Sequence, residues 1–569
     1  MAKYSLSIDQ ANQQYVRFRV DFSSVPENAV IHLPKWRPGR YELGNFAKNV
    51  RNFRVYGSEG RNCTIEKTGS SSWKVINAAG EDLRVEYGYF AAELNAGSTF
   101  LSESQLYANP VNCFMYLDGR LDESCEVHLA IPDSWNIATS MNREGKKLTA
   151  ADFHELADSP FICSADLQYN QYEMNGTIFH LWFNGDVIID WPRIIADFKA
   201  FTAKQIEKFM EFPVPHYHFL FHILPYKAYH GVEHQKSTVI TLGPSYDVFG
   251  ELYRELLGVS SHELYHTWNV KAIRPVEMFP YNYQQENFSK LGYLCEGVTT
   301  YMGDLMLYKS GVFKLPDYLR EMTAQLQKHF DNFGRFNLSV ADSSWDTWLD
   351  GYVPGAPGRK TSIYVEGCLL AFVTDIMIRQ HTKDKSGIDE VMKRLYFNFA
   401  LKGKGVSEED YKSIVCELAG EEMKTVFEDY FYGTRPFEGL LSDAFEVIGL
   451  EMLHRPSPKY SHGRTGFKTL TLGPNHVVKA IYPGSPADMG GLMLEDEIIA
   501  VNGFVLHGEL DKWLQYADDT TKKLTVIRAG KLAELTLPEV QRNFYLEYSL
   551  RPVENPTAAQ KKAFEHWGK

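Results

Sequence analysis

The 569-residue sequence predicts a multidomain α+β protein. Three observations lead there. Alternating apolar and polar residues dominate residues 1–165, helical periodicity takes over between about 192 and 432, and a compact β-rich pattern returns after a Pro-containing stretch near 455. A chain this long is expected to form three or four domains. Its 44% apolar and 14% aromatic content is enough to fill sizeable cores.

The N-terminal region is read from its alternation. Tyr15-Val16-Arg17-Phe18-Arg19-Val20-Asp21-Phe22 alternates strictly, and Trp73 to Ile76 and Leu83 to Tyr87 do so more loosely. Gly, Asn, Asp and Pro separate these runs. An all-β, sandwich-like domain over residues 1–165 is the expectation.

Beyond it, Pro192 to Phe212 carries an apolar stripe (Ile194, Ile195, Phe198, Phe201, Ile206, Phe209) that predicts a helix, broken at Pro213. A strand is expected over His216 to Leu224. His216, His218 and His222 fall on one face of it, which reads first as a polar-facing strand and second as a further metal site. From Tyr246 to Tyr432 helices are expected to dominate, including Tyr364 to His381.

Within that helical part stands Ser261-His262-Glu263-Leu264-Tyr265-His266-Thr267-Trp268-Asn269. Val248, Phe249, Leu252, Leu256 and Val259 precede it at helical spacing, so the motif is expected on a helix. Positions i and i+4 share a helix face, so His262 and His266 can reach one metal ion from the same side. Glu263, beside the first ligand, could hold a water. This is the arrangement a zinc hydrolase needs. The competing reading is a half-buried helix with two satisfied histidines. A catalytic zinc takes three protein ligands, and Glu296, about thirty residues on in Leu294-Cys295-Glu296-Gly297, starts an apolar-periodic run through Leu307. The two pieces together favour one zinc ion per chain on His262, His266 and Glu296.

Arg455-Pro456-Ser457-Pro458-Lys459-Tyr460 marks a boundary. After it, Val477 to Ala487, Gly490-Gly491-Leu492 and Glu495 to Gly503 read as a strand, a small-residue turn, a short helix and a strand ending in Asn502-Gly503. Residues 551–569 read as a polar, helical tail.

Bulk properties exclude some classes. A net charge of -13 argues against nucleic-acid binding by electrostatics. Seven scattered cysteines read as reduced thiols. The first residues lack an apolar signal region and no eighteen-residue apolar run suggests a membrane span, so a cytoplasmic location is expected. Oligomeric state is left open.

Three stretches carry a family likeness. Leu33-Pro34-Lys35-Trp36-Arg37-Pro38-Gly39-Arg40-Tyr41, the segment His262 to Pro275 ending Trp268-Asn269-Val270-Lys271-Ala272-Ile273-Arg274-Pro275, and the segment after Val477 together resemble the glycyl aminopeptidase family of PDZ-containing zinc metallopeptidases. The resemblance implies a thermolysin-like, gluzincin catalytic domain of mixed α/β fold with a helical lobe over 166–454, and a PDZ domain over 455–550. It implies a zinc-dependent aminopeptidase that removes small N-terminal residues from peptides. His262, His266 and Glu296 take the ligand places and Glu263 the general-base place. Glu233, in Tyr229-His230-Gly231-Val232-Glu233-His234, takes the place that holds the substrate's free amine, with Gly231 one position nearer than the family spacing. Tyr364, in Tyr364-Val365-Glu366-Gly367, takes the oxyanion-stabilising place, with Glu366 where a Lys is usual. A C-terminal peptide is the implied partner of the PDZ segment, whose loop Gly463-Arg464-Thr465-Gly466-Phe467 departs from the usual form. Rival readings are an endopeptidase of the same fold, a zinc hydrolase of another bond, and a catalytically silent PDZ scaffold.

Overall fold

In a computed structural model describing residues 1–76, 78–353, 355–473, 475–516 and 521–569, alternation in sequence becomes alternation in burial. Val16, Phe18, Val20 and Phe22 are buried while Arg17 and Arg19 reach solvent. Their strand, Tyr15–Phe22, lies between Ala2–Ser7 and Leu83–Phe90 in a seven-stranded sheet, and Phe18 stacks on Tyr87 at 5.0 Å. Two four-stranded sheets complete the β-rich N-terminal region.

The expected boundary at 165/166 separates sheets but not cores. The apolar core of the N-terminal strands runs on to Met278, Tyr281, Tyr283, Trp348 and Ile363. Residues 1–318, 332–444 and 562–569 form one compact unit, and residues 319–331 and 445–561 form a second.

The first unit continues with a five-stranded mixed sheet, in which Ala228–Glu233 is the edge strand, antiparallel to Ser237–Gly243. The helix Trp191–Phe209 is capped by Asp190, which accepts from the Arg193 amide at 3.2 Å. It ends three residues before the expected Phe212, because Met210 turns left-handed at φ 68°. The expected polar face of His216–Ile223 holds only at His216. His180 of the neighbouring strand stacks on His218 at 4.2 Å, and His222 is buried against Tyr107 at 4.6 Å. Among the described residues, groups of three or more side chains with converging metal-ligand atoms occur elsewhere, around His266.

The motif helix is Tyr253–Tyr265, so Val248 and Phe249 lie in the turns before it. Glu296 sits in a π-helical turn, Tyr293–Val298, that runs into the helix Thr299–Lys309. Val365–Thr382 forms the helix expected from Tyr364, with Tyr364 as its N-cap residue.

The second unit holds a six-stranded sheet with two short helices, Pro486–Met489 and Leu510–Tyr516. Its core is Phe467, Val478, Ile498, Leu514, Leu524, Val526 and their neighbours. The expected strand, helix and strand are Asn475–Ile481, Pro486–Met489 and Glu497–Val501, with Asn502 and Gly503 in the left-handed turn that follows. The expected 454/455 boundary falls inside a strand: Leu450–Pro456 pairs with Leu546–Pro552. The expected polar tail is helical and largely exposed, with one exception. Its helix, Ala558–Gly568, ends with Trp567 fully buried, donating to the Tyr301 hydroxyl at 2.9 Å. Among the described residues no helix is long and apolar enough to cross a membrane.

Candidate active site

One helical turn separates His262 from His266, and both rings point the same way. Their Nε2 atoms lie 3.0 Å apart. Glu296 Oε2 stands 3.7 Å from the first and 3.4 Å from the second. Ligands about 2.0–2.1 Å from a tetrahedral zinc keep about 3.3 Å between one another. The triangle therefore fits a zinc ion without rearrangement. His266 Nδ1 donates to the Asn269 carbonyl at 2.8 Å, which leaves its Nε2 free for a metal. The His262 side chain is 20% exposed while those of His266 and Glu296 are 2% and 3% exposed, so the centre opens on the His262 side.

Local packing explains why these groups meet. Ser261 Oγ donates to the Gly303 carbonyl at 2.7 Å, joining the motif helix to the Glu296 helix. A β-carbon at Gly303 would stand 3.1 Å from the His262 α-carbon, so only glycine allows this approach without a shift. Asn269 Nδ2 donates to the Leu294 carbonyl at 2.8 Å and to Thr299 Oγ1 at 3.0 Å, fixing the turn after the motif to the π turn that carries Glu296. Gly297 and Gly367 cross so closely that a β-carbon on Gly297 would fall 2.3 Å from the Gly367 backbone. That crossing brings the helix starting at Tyr364 against Glu296. Glu366 accepts from the Ser362 amide at 2.9 Å and so serves the N-terminus of that helix.

The remaining expected residues gather at the same place. Gly231 and Glu233 lie two apart on the edge strand and so share a face. A β-carbon at Gly231 would lie 2.1 Å from Glu263 Oε1, so the strand backbone presses on the Glu263 carboxylate. Ligand atoms of Glu233, Glu263 and His266 lie within 4.8 Å of one another. Glu233 Oε1 and Glu263 Oε2 are buried without a hydrogen-bond partner. Such orphaned acceptors are expected where a water, a cation or a substrate amine belongs. The Tyr364 hydroxyl lies 3.2 Å from that of Tyr352.

Charge follows the crowding. Burial opposes every charged form here. Against it, Glu296 and then Glu233 push His266 up to about 10, while His266 and then His262 hold Glu296 down to about 2. Burial, then the Glu233 and Glu296 charges, push Glu263 well up, with His266 opposing. Burial raises Tyr364 well above the ordinary tyrosine range, with Glu296 adding to it, so its hydroxyl keeps its proton.

Several contributors escaped the sequence reading, all carried by other segments. The Tyr41 hydroxyl donates to Glu296 Oε1 at 2.8 Å. A β-carbon at Gly39 would lie 2.4 Å from Glu233 Oε2. Asp158 accepts from Lys271 Nζ at 2.7 Å and from the Gln235 amide at 2.8 Å, and its Oδ1 lies 3.1 Å from His234 Nδ1. Nothing in local spacing could show these, although Arg37 to Tyr41 and Lys271 lie in the stretches that carry the family likeness.

Comparison with known proteins gives two family matches. Residues 3–165 match the Peptidase M61 N-terminal domain, and residues 255–370 match M61 glycyl aminopeptidase. The second spans His262, His266, Glu296 and Tyr364. These matches to M61 peptidase domains support a metallopeptidase. A crystal structure of an aminopeptidase N family protein from Idiomarina loihiensis is 23% identical, with 100% of both chains covered and a TM-score of 0.92, so the two share a fold. An M1 zinc metallopeptidase from Deinococcus radiodurans is 14% identical over 76% of this chain and 94% of its own, with a TM-score of 0.46. No curated protein matches.

Proposed function

We propose that this peptidase is a zinc-dependent aminopeptidase, with one zinc on His262, His266 and Glu296. One observation carries the reading: the 3.0, 3.4 and 3.7 Å triangle of ligand atoms lies beside two buried carboxylates, Glu263 and Glu233, each with one oxygen that has no hydrogen-bond partner. A zinc ion supplies Lewis acidity there and lowers the pKa of water to about 7.

The chain's own residues would do the rest. The edge strand Ala228–Glu233 is paired on one side only, which leaves backbone groups for an extended peptide. Glu233 accepts hydrogen bonds from the substrate ammonium, which sets the scissile bond one residue in. Glu263 takes a proton from the attacking water and passes it to the leaving amine. Tyr364 donates from its hydroxyl to the oxygen on which negative charge develops. The match to M61 glycyl aminopeptidase supports a preference for small first residues, Gly or Ala.

The second unit supports a PDZ-type module. Phe467–Leu472 is an edge strand of its sheet, the position from which such modules add a peptide strand. All seven cysteines are free, which fits a reducing, cytoplasmic compartment.

The test is zinc content with turnover of glycyl and alanyl anilides, each with and without an N-acetyl block. One zinc per chain and cleavage of free-amine substrates alone is the expected result. Glu263→Gln should keep the zinc and lose about a thousandfold or more in kcat. Cleavage of blocked substrates would move the assignment to an endopeptidase. Absence of zinc after metal loading would overturn the centre itself.

A further inference from the structure

Arg37 stands in the loop between Trp36 and Tyr41, only 5% exposed, and its guanidinium makes no hydrogen bond or ion pair among the described residues. Its Nη1 is buried without a partner. It lies so tightly against Gly97 that a β-carbon there would fall 0.9 Å from Nη1. An arginine does not shed its charge at accessible pH, and an isolated buried charge is costly. Arg40, by contrast, is committed: it pairs with Glu42 and lies over the Tyr352 ring at 4.6 Å.

Two further facts give this cation a direction. It lines a cavity of about 450 Å³ together with Arg40, Lys48 and Asn112. Lys48 is exposed to solvent there and adds to the positive charge of the cavity. Glu42 and Glu93 line it as well, but Glu42 is taken by Arg40 and Glu93 accepts from Asn95. Second, Arg37 is two residues from Gly39, which packs on Glu233, and it is electrostatically coupled to both Glu233 and Glu263. A fully extended dipeptide spans about 7 Å from end to end. That length sets the scale of substrate that would join an amine held at Glu233 to a carboxylate at this guanidinium.

We propose that Arg37 binds a substrate carboxylate, so that the preferred substrates are short peptides with a carboxylate one or two residues beyond the N-terminus. The inference rests on the aminopeptidase reading. The carboxylate comes from one of two sources, the peptide's own C-terminus or an acidic side chain. In either case the planar fork of Arg37 suits bidentate pairing.

The test uses the full-length, zinc-loaded enzyme and four probes: Gly-Gly, Gly-Gly amide, Gly-Asp amide and Gly-Asn amide. Turnover and calorimetric binding are both read. The wild type is expected to favour a carboxylate over its neutral partner by about tenfold or more, mainly in KM and Kd. A gap in the first pair assigns the C-terminal carboxylate, and a gap in the second assigns a side chain. Arg37→Met should bring the ratio to about one. Arg37→Lys, which keeps the charge but not the fork, should leave a ratio in between, and it serves if the methionine variant does not fold. Equal affinity within both pairs overturns the inference, as does a preference that survives Arg37→Met. No turnover of any probe, with carboxylate-dependent binding that Arg37→Met removes, would overturn the peptidase reading and leave the carboxylate site standing.

Discussion

Tyr41 shows how far from the motif a proposed ligand can be tuned. Its hydroxyl is buried and donates to Glu296 Oε1 at 2.8 Å, while Glu296 Oε2 faces the two histidines. Burial first, and Glu296 second, push the Tyr41 hydroxyl well up, so it stays a donor. A donor on one carboxylate oxygen holds the other toward the metal. We predict that Tyr41→Phe weakens zinc affinity about tenfold, read by competition with a chromophoric chelator. Unchanged zinc affinity would show that the bond does not position Glu296. Local spacing made His262, Glu263 and His266 legible, because an i, i+4 pair needs only a helix. Glu296 was legible because its residue type and distance suit a third ligand. Tyr41 was not, because it lies 255 positions from Glu296 and no periodicity joins them.

Elements are joined around the site by buried polar ties. Asp158 comes from the turn after a short N-terminal helix, Gln235 and His234 from the end of the edge strand, and Lys271 from the turn after the motif. Lys271 is 3% exposed, so its partner is not optional. Burial opposes the Asp158 charge, but Lys271 and His234 hold its carboxyl well below the ordinary carboxylate range. A carboxyl depressed in the folded state adds stability above its unfolded pKa of about 3.9, and that stability is lost as pH falls through the folded value. We predict that Asp158→Asn destabilises by about 3 kcal/mol at pH 7, by leaving Lys271 buried without its charge partner. The gap between wild type and variant should narrow below about pH 4, measured by urea unfolding at several pH values. A gap constant with pH would remove Asp158 as the titrating group. Alternation and periodicity gave the strands and helices of this region. They did not give the π turn at Tyr293–Val298, whose sequence is compatible with an ordinary helix, nor the Gly297–Gly367 crossing, which depends on two elements meeting.

At the scale of the whole molecule, the division of the chain differs from the one its punctuation suggests. Pro456 and Pro458 mark a break in pattern, yet the second unit begins at Phe445, takes in Leu319–Asp331, and ends at Lys561. Proline punctuates local structure, whereas a unit is defined by which apolar residues share a core. Two cores are closed: the one around Phe467, Val478 and Leu524 lies wholly in the second unit, and the N-terminal one extends through Trp348 and Ile363 within the first. Separate cores favour separate cooperative transitions. All three proposed ligands, His262, His266 and Glu296, belong to the first unit. A ligand that binds only the folded form stabilises that form by about 4 kcal/mol at a thousand times its Kd. We therefore predict two calorimetric transitions, and that chelating the zinc lowers only one of them, by about 5 °C. The unmoved transition should be the one abolished by a core substitution in the second unit such as Leu524→Asp, which buries an unpaired charge. One transition that shifts as a whole on chelation would mean that the two cores unfold as one.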